Sequence, residues 1–191
     1  PASFRTRETA DLFLYLIMHV LKDGGKCGMV LPDGFLFGDG VTARIKGKLL
    51  ETCNLHTIIK LPEGVFAPYS DIQTNLLFFE KGKPTNEIWY FEHPLPEERQ
   101  QLKNPRYTMS KPIKYEEFDL EKKWWNKRKE NEFAWKVSMK NIKSSGYNLD
   151  LKNPNSVNDE EKLSSDDIIV KLNSNLQNIQ SLIKKIEEKL N

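Results

Sequence analysis

The sequence predicts an α/β fold: the second half of a sheet ending in a β-hairpin, followed by an irregular arm and a long C-terminal helix. Short apolar runs alternate with helical patterns as far as residue 92. Prolines, dense charge and interleaved aromatics then replace that alternation. A strict heptad pattern fills the last stretch.

Residues 6–22 read as an amphipathic helix, with Leu12, Phe13, Leu16, Ile17, Val20 and Leu21 spaced for an inner face. Thr6 and Thr9 are placed to cap its start, and Asp23-Gly24-Gly25 ends it. Residues 26–31 (KCGMVL) form a nearly continuous apolar run, as expected of a buried parallel strand. Residues 35–40 lead through a loop into a second helix over 41–53. There Ile45, Leu49 and Leu50 share the inner face, and Arg44, Lys46 and Lys48 the outer one. Residues 55–61, 74–80 and 87–92 read as three further strands, and the turn at 81–86 predicts that the last two form a hairpin.

From residue 93 to about 153 prolines recur, basic residues outnumber acidic ones, and aromatics are interleaved. This predicts an irregular arm wrapped on its own sheet. Ile169, Leu172, Leu176, Ile179, Ile183, Ile186 and Leu190 then follow in steps of three and four, a heptad seam that one helix cannot bury on itself. Three regions result: 1–92 as half of an α/β domain, 93–158 as the arm, and 159–191 as a coiled-coil-like helix.

Composition excludes several functions. The 191 residues carry a net charge of only +2, so global charge does not argue for a nucleic-acid partner. No apolar run is long enough to span a membrane, and no signal-peptide pattern opens the chain, so a cytoplasmic protein is expected. Cys27 and Cys53 lack metal-ligand spacing and read as two buried free thiols. His19, His56 and His93 are scattered, with no nucleophile beside them. No strand is followed by a glycine-rich cofactor loop; Gly38-Asp39-Gly40 is the nearest approach. The residues alone therefore give no complete active site and no catalytic residue.

Two stretches carry a resemblance. Residues 10–37 contain Lys22-Asp23-Gly24-Gly25 and Leu31-Pro32-Asp33-Gly34-Phe35-Leu36-Phe37. Residues 61–82 contain Leu61-Pro62-Glu63-Gly64-Val65-Phe66 and Thr74-Asn75-Leu76-Leu77-Phe78-Phe79. In this order they resemble the modification (M) subunits of type I restriction-modification systems, adenine-specific DNA methyltransferases. Arg44-Ile45-Lys46, Trp89-Tyr90-Phe91 and Gly146-Tyr147-Asn148-Leu149-Asp150 are similar to that family too. The likeness runs over about residues 4–155.

The resemblance implies the C-terminal half of a Rossmann-like methyltransferase sheet that uses S-adenosylmethionine. The family's cofactor loop and Asn-Pro-Pro-Phe motif are expected upstream of Pro1, so the chain alone is expected to be an inactive fragment. Asn104-Pro105-Arg106 and Asn153-Pro154-Asn155 are not substitutes for that motif. Phe66 matches the aromatic that stacks on the extruded adenine, though it could simply plug the sheet edge. Phe13 matches a position lining the cofactor's adenine pocket, and core packing is the competing reading. Implied partners are double-stranded DNA, the specificity (S) subunit, a second M subunit and the restriction (R) subunit. The runner-up function is a non-catalytic assembly module docking on the S subunit through the heptad seam. A third is a DNA-binding arm built on Arg106, Lys111, Lys114, Lys127, Arg128 and Lys129 with Trp124 and Trp125; Glu116, Glu117, Asp119 and Glu121 weaken it.

Overall fold

The computed structural model describes residues 6–155. The helices are α1 (Thr9–Val20), α2 (Asp33–Phe37), α3 (Gly40–Thr52), α4 (Glu97–Gln100), α5 (Asp119–Trp125) and α6 (Met139–Ser144). The strands are β1 (Lys26–Pro32), β2 (Cys53–Lys60), β3 (Thr74–Lys81), β4 (Glu87–Glu92) and β5 (Ala134–Ser138). They form one sheet in the order β1-β3-β2-β4-β5. Only β2 and β4 pair in parallel; the other neighbours are antiparallel. The C-terminal ends of β1, β2 and β4 therefore share one edge of the sheet, called here the carboxyl edge.

The predicted hairpin is corrected. β2 lies between β3 and β4, and β4 pairs with β2. The link at 81–86 is anchored at the start of β2. The Thr85 hydroxyl donates to the Cys53 carbonyl at 2.8 Å and accepts the Leu55 N–H at 2.8 Å. Thr85 is buried there, so the chain crosses β2 before β4 begins.

β1 is also not a buried parallel strand. Among the described residues it pairs only with antiparallel β3 and stands at the edge of the sheet; Leu31 alone is buried, and the rest alternate half-buried with exposed positions. The arm is not irregular throughout: β5 extends the sheet beyond β4. Tyr90 on β4 stacks on Trp135 of β5, ring centroids 5.2 Å apart.

Two apolar layers sandwich the sheet. On one face Leu14 and Met18 of α1 and Ile45, Leu49 and Leu50 of α3 pack against Leu55, Ile58, Leu77 and Phe79. On the other, Trp124 of α5 and partly buried Trp125, Phe118 and Phe133 cover Ile59, Phe91 and Trp89. The helix-bearing face agrees with the expected inner face of α3, but α1 is turned. Its buried residues are Asp11, Leu14 and Met18, while Leu12, Phe13, Leu16 and Val20 are exposed. A helix apolar on nearly every side gives periodicity no face to select.

Thr6 does not cap α1 directly; its hydroxyl accepts the Glu8 N–H and donates to Asp11. Lys46 is fully buried, not on the outer face. Cys53 is buried but Cys27 only half-buried, both as free thiols, and burial raises the pKa of each. The heptad seam from Ile169 to Leu190 lies outside the described residues.

Candidate functional site

Ligands of open α/β sheets bind where strands end at their carboxyl side. Here the carboxyl edge is built from three segments. Asp33 follows β1, its N–H donating to the Gln73 carbonyl at 2.8 Å. The Leu61 N–H donates to the Thr74 carbonyl at 3.0 Å, and Gln73 Nε2 donates to the Leu61 carbonyl at 3.0 Å. Asn75 Nδ2 donates to Asp33 Oδ1 at 3.1 Å. The Thr74 hydroxyl and Asn75 Oδ1 are buried with no hydrogen-bond partner among the described residues. Unsatisfied buried polar atoms are costly and therefore uncommon, so two side by side mark this edge.

Phe66 sits on the turn that follows β2, 42% exposed, with Tyr69 94% exposed beside it. The turn is held rigidly. Phe66 O accepts the Tyr69 and Ser70 N–H groups, and Gly64 O accepts that of Ala67. The Ala67–Pro68 peptide is cis. From the arm, the Tyr107 N–H donates to the Glu63 carbonyl at 2.9 Å. Tyr107 is itself fixed: its buried hydroxyl donates to Glu117 and approaches His93, which bonds to Glu121. Burial, then the Glu117 hydrogen bond, raises the Tyr107 pKa far above its usual value, so the phenol stays a proton donor. The arm thus clamps the turn carrying Phe66.

A cleft of about 440 Å³ lies at the same edge, lined by Glu8, Asp11, Gly34, Phe35, Asp39 and Thr42 among others. Asp11 is 2% exposed. It accepts hydrogen bonds from the hydroxyls of Thr6 at 3.2 Å and Thr42 at 2.8 Å. Lys46 Nζ donates to the Leu36 carbonyl at 2.6 Å. Burial lowers the Lys46 pKa to about 8, against the opposing pull of Asp11 and Asp39.

Phe66 is therefore exposed on the turn where sequence placed it. Phe13 is not on the inner face of α1: it is 56% exposed among the described residues. The arm's Trp124 and Trp125 are not open stacking platforms. Trp125 packs edge-on against Phe78 with centroids 4.9 Å apart, and Trp124 donates its indole N–H to the Lys129 carbonyl. The sequence reading gave no site role to Asp11, Lys46, Thr74, Tyr107 or Glu121, although Lys46 too stands in a quoted motif. Thr74 and Asn75 lie inside a quoted motif, the one signal that could have found them. Among the described residues no cluster of His, Cys, Asp and Glu could hold a metal ion, and no helix is long and apolar enough to cross a membrane.

The mixed α/β sheet thus carries an exposed aromatic, Phe66, on a clamped turn at its carboxyl edge. Residues 2–163 match the N-6 DNA Methylase family, and the chain belongs to it. It is 53% identical over 161 residues to the methylase subunit of the type I restriction enzyme EcoEI of Escherichia coli, covering 81% of this chain and 32% of that protein. The crystal structure of a type I modification subunit from Vibrio vulnificus YJ016 superposes with a TM-score of 0.75 at 48% identity, covering 82% of this chain and 34% of that one. A chain from a study of type I restriction-modification complex assembly gives a TM-score of 0.74 at 40% identity, covering 98% and 40%. The chain thus spans about a third of the length of these relatives. The mixed five-stranded sheet resembles the methyltransferase fold of modification subunits.

Proposed function

We propose that the chain supplies the target-base edge of an adenine-specific DNA methyltransferase, the M subunit of a type I restriction-modification system, which uses S-adenosylmethionine. The observation that carries this reading is Phe66: an exposed ring on a clamped turn at the carboxyl edge, in a member of the N-6 DNA methylase family. A target adenine must leave the duplex before its amino group can react, and it then needs a surface to stack on. A ring carried on a turn whose backbone Tyr107 clamps would provide one.

In this reading residues 1–92 are the C-terminal half of a Rossmann-like sheet, residues 93–158 an arm packed on it, and residues 159–191 a coiled-coil-like helix. The free edge of β1 and the exposed apolar side chains of α1 are where the other half of the sheet would pack. Phe13, on that exposed side, would border the cofactor's adenine. S-adenosylmethionine supplies the methyl group; this chain's part is to hold and orient the base. Double-stranded DNA, the S subunit, a second M subunit and the R subunit are the proposed partners, in the cytoplasm. The seam of Ile169, Leu172, Leu176, Ile179, Ile183, Ile186 and Leu190 would dock on long helices of the S subunit.

In the complete methylase with its S subunit, Phe66→Ala should lower methylation of cognate DNA by roughly 1–3 kcal/mol of stacking energy. Cofactor affinity should change much less. Unchanged turnover would reduce Phe66 to a packing residue. The 191-residue chain alone has no glycine-rich loop after a strand and no Asn-Pro-Pro-Phe. Calorimetry should accordingly detect no micromolar S-adenosylmethionine binding to it; a clear micromolar isotherm would refute its proposed inactivity.

A further inference from the structure

A second pocket lies far from the carboxyl edge. It has a volume of about 360 Å³ and is lined by Asn54, His56, Asn86, Glu87, Trp89 and Arg128. Asn54 is the second residue of β2 and Glu87 opens β4, so the pocket sits at the other end of these strands. Six residue steps along β2 separate it from Lys60, roughly 20 Å.

Its polar lining is rich in donors. Arg128 Nη1 donates to the His56 carbonyl and Nη2 to His56 Nδ1, both at 3.3 Å. A guanidinium can only donate, so Nδ1 is the acceptor in this contact, and the Thr57 hydroxyl lies 2.8 Å from the same atom. Burial, and then the charge of Arg128, lowers the His56 pKa, which keeps the imidazole neutral. The side chains of Asn54 and Asn86 hydrogen-bond to nothing among the described residues. No carboxylate there forms an ion pair with half-buried Arg128, whose guanidinium lies over Trp125, 4.9 Å from the ring centroid. Burial without a counter-ion also lowers the Arg128 pKa.

Local backbone geometry aims this lining. The pairing of β2 with β3 shifts between Leu55 and Thr57, so His56 is the extra residue of a β-bulge. Such bulges redirect a side chain. Glu87, the one acid on the rim, is already engaged by Lys136 at 3.4 Å.

We propose that this pocket binds the carboxylate of an acidic side chain presented by a partner protein. Arg128 and the two asparagine amides are the donors, and the half-buried Trp89 indole covers the acid's methylene stem. Charge decides against a DNA phosphate. The cations Lys26, Arg128 and Lys136 face Glu80, Glu87 and Glu130, whose carboxylate accepts the Lys136 N–H, so no surplus of cations surrounds the pocket and Arg128 is the one cation in its lining. A single carboxylate needs no more, whereas a phosphate-tracking surface gathers several unpaired cations.

The test uses the full 191-residue chain and N-acetylated, C-amidated tetraglutamate as the probe. In proton–nitrogen correlation spectra the Trp89 indole and the Asn54 and Asn86 side-chain amides should shift saturably. Arg128→Gln should weaken binding about tenfold or more, as expected for lost hydrogen bonds to a charged group. Because Arg128 also ties α5 to β2, Asn54→Asp is the second variant. It leaves that tie intact, sets a like charge in the pocket, and should abolish the shifts. The proposal fails if tetraglutamate shifts none of these signals saturably, or if Asn54→Asp binds as well as the parent. Tighter binding of inorganic phosphate or of a DNA duplex at the same signals would overturn it in favour of a phosphate site.

Discussion

Gly64→Ala should destabilise the chain by about 3 kcal/mol or more, a large effect for a single methyl group. Gly64 has φ +76°, where an added Cβ is strained. That Cβ would also stand 2.1 Å from the Tyr107 carbonyl oxygen and 2.9 Å from its carbonyl carbon. Neither segment can retreat freely, because the adjacent Tyr107 N–H is bonded to Glu63 and the Tyr107 ring is buried. Gly24 at φ +75° and Gly40 at φ +58° are internal controls, since a Cβ at either meets nothing within 4 Å. Alanine there should cost only the backbone strain, about 1–2 kcal/mol. Urea unfolding of the three variants separates the two contributions. If Gly64→Ala is no worse than Gly24→Ala, the Tyr107 contact is not rigid and the proposed clamp on Phe66 is lost.

The same clamp shows what could be read from the sequence. Leu61-Pro62-Glu63-Gly64-Val65-Phe66 placed an aromatic just beyond a strand, and the turn is there. The apolar and aromatic runs of β2 to β4 were legible because burial on a sheet favours them. Strand order was not, because it depends on where one buried threonine, Thr85, ties the link after β3. The short β5 was hidden among charges, since its alternation, Trp135-Lys136-Val137-Ser138, lasts only four residues and the segment is fixed as a strand by pairing with β4. The buried face of α1 was misread because its one acidic residue, Asp11, faces inward to two threonine hydroxyls. Within a family motif the positions were visible; the polar contacts that hold them were not, because each joins residues distant in sequence.

Lys46 is the sharpest case, because a lysine on a helix is ordinarily solvated. Here it is buried beside the carboxyl-edge cleft, with Nζ on the Leu36 carbonyl. The Leu36 carbonyl keeps the Leu149 N–H as a donor, so the main cost of Lys46→Ala is the cavity left by a fully buried long side chain, about 2–5 kcal/mol. Lys46→Met keeps the volume without the charge and should cost clearly less. The pH dependence has a definite sign. Lys46 has a folded pKa of about 8 against an ordinary 10.5, so between these values the unfolded chain binds more protons. Below about pH 8 the folded state carries the full penalty of a buried ammonium. As pH rises toward 10.5 the penalty is relieved, and this contribution to stability increases. Cys27, Cys53 and Tyr90, whose pKa values are raised by burial, act in the opposite direction as alkali increases. They are common to parent and Lys46→Met, so subtracting the two stability curves removes them. The difference, parent minus variant, should rise between pH 8 and 10. A flat difference would mean that Lys46 keeps an ordinary pKa and reaches solvent in the folded chain.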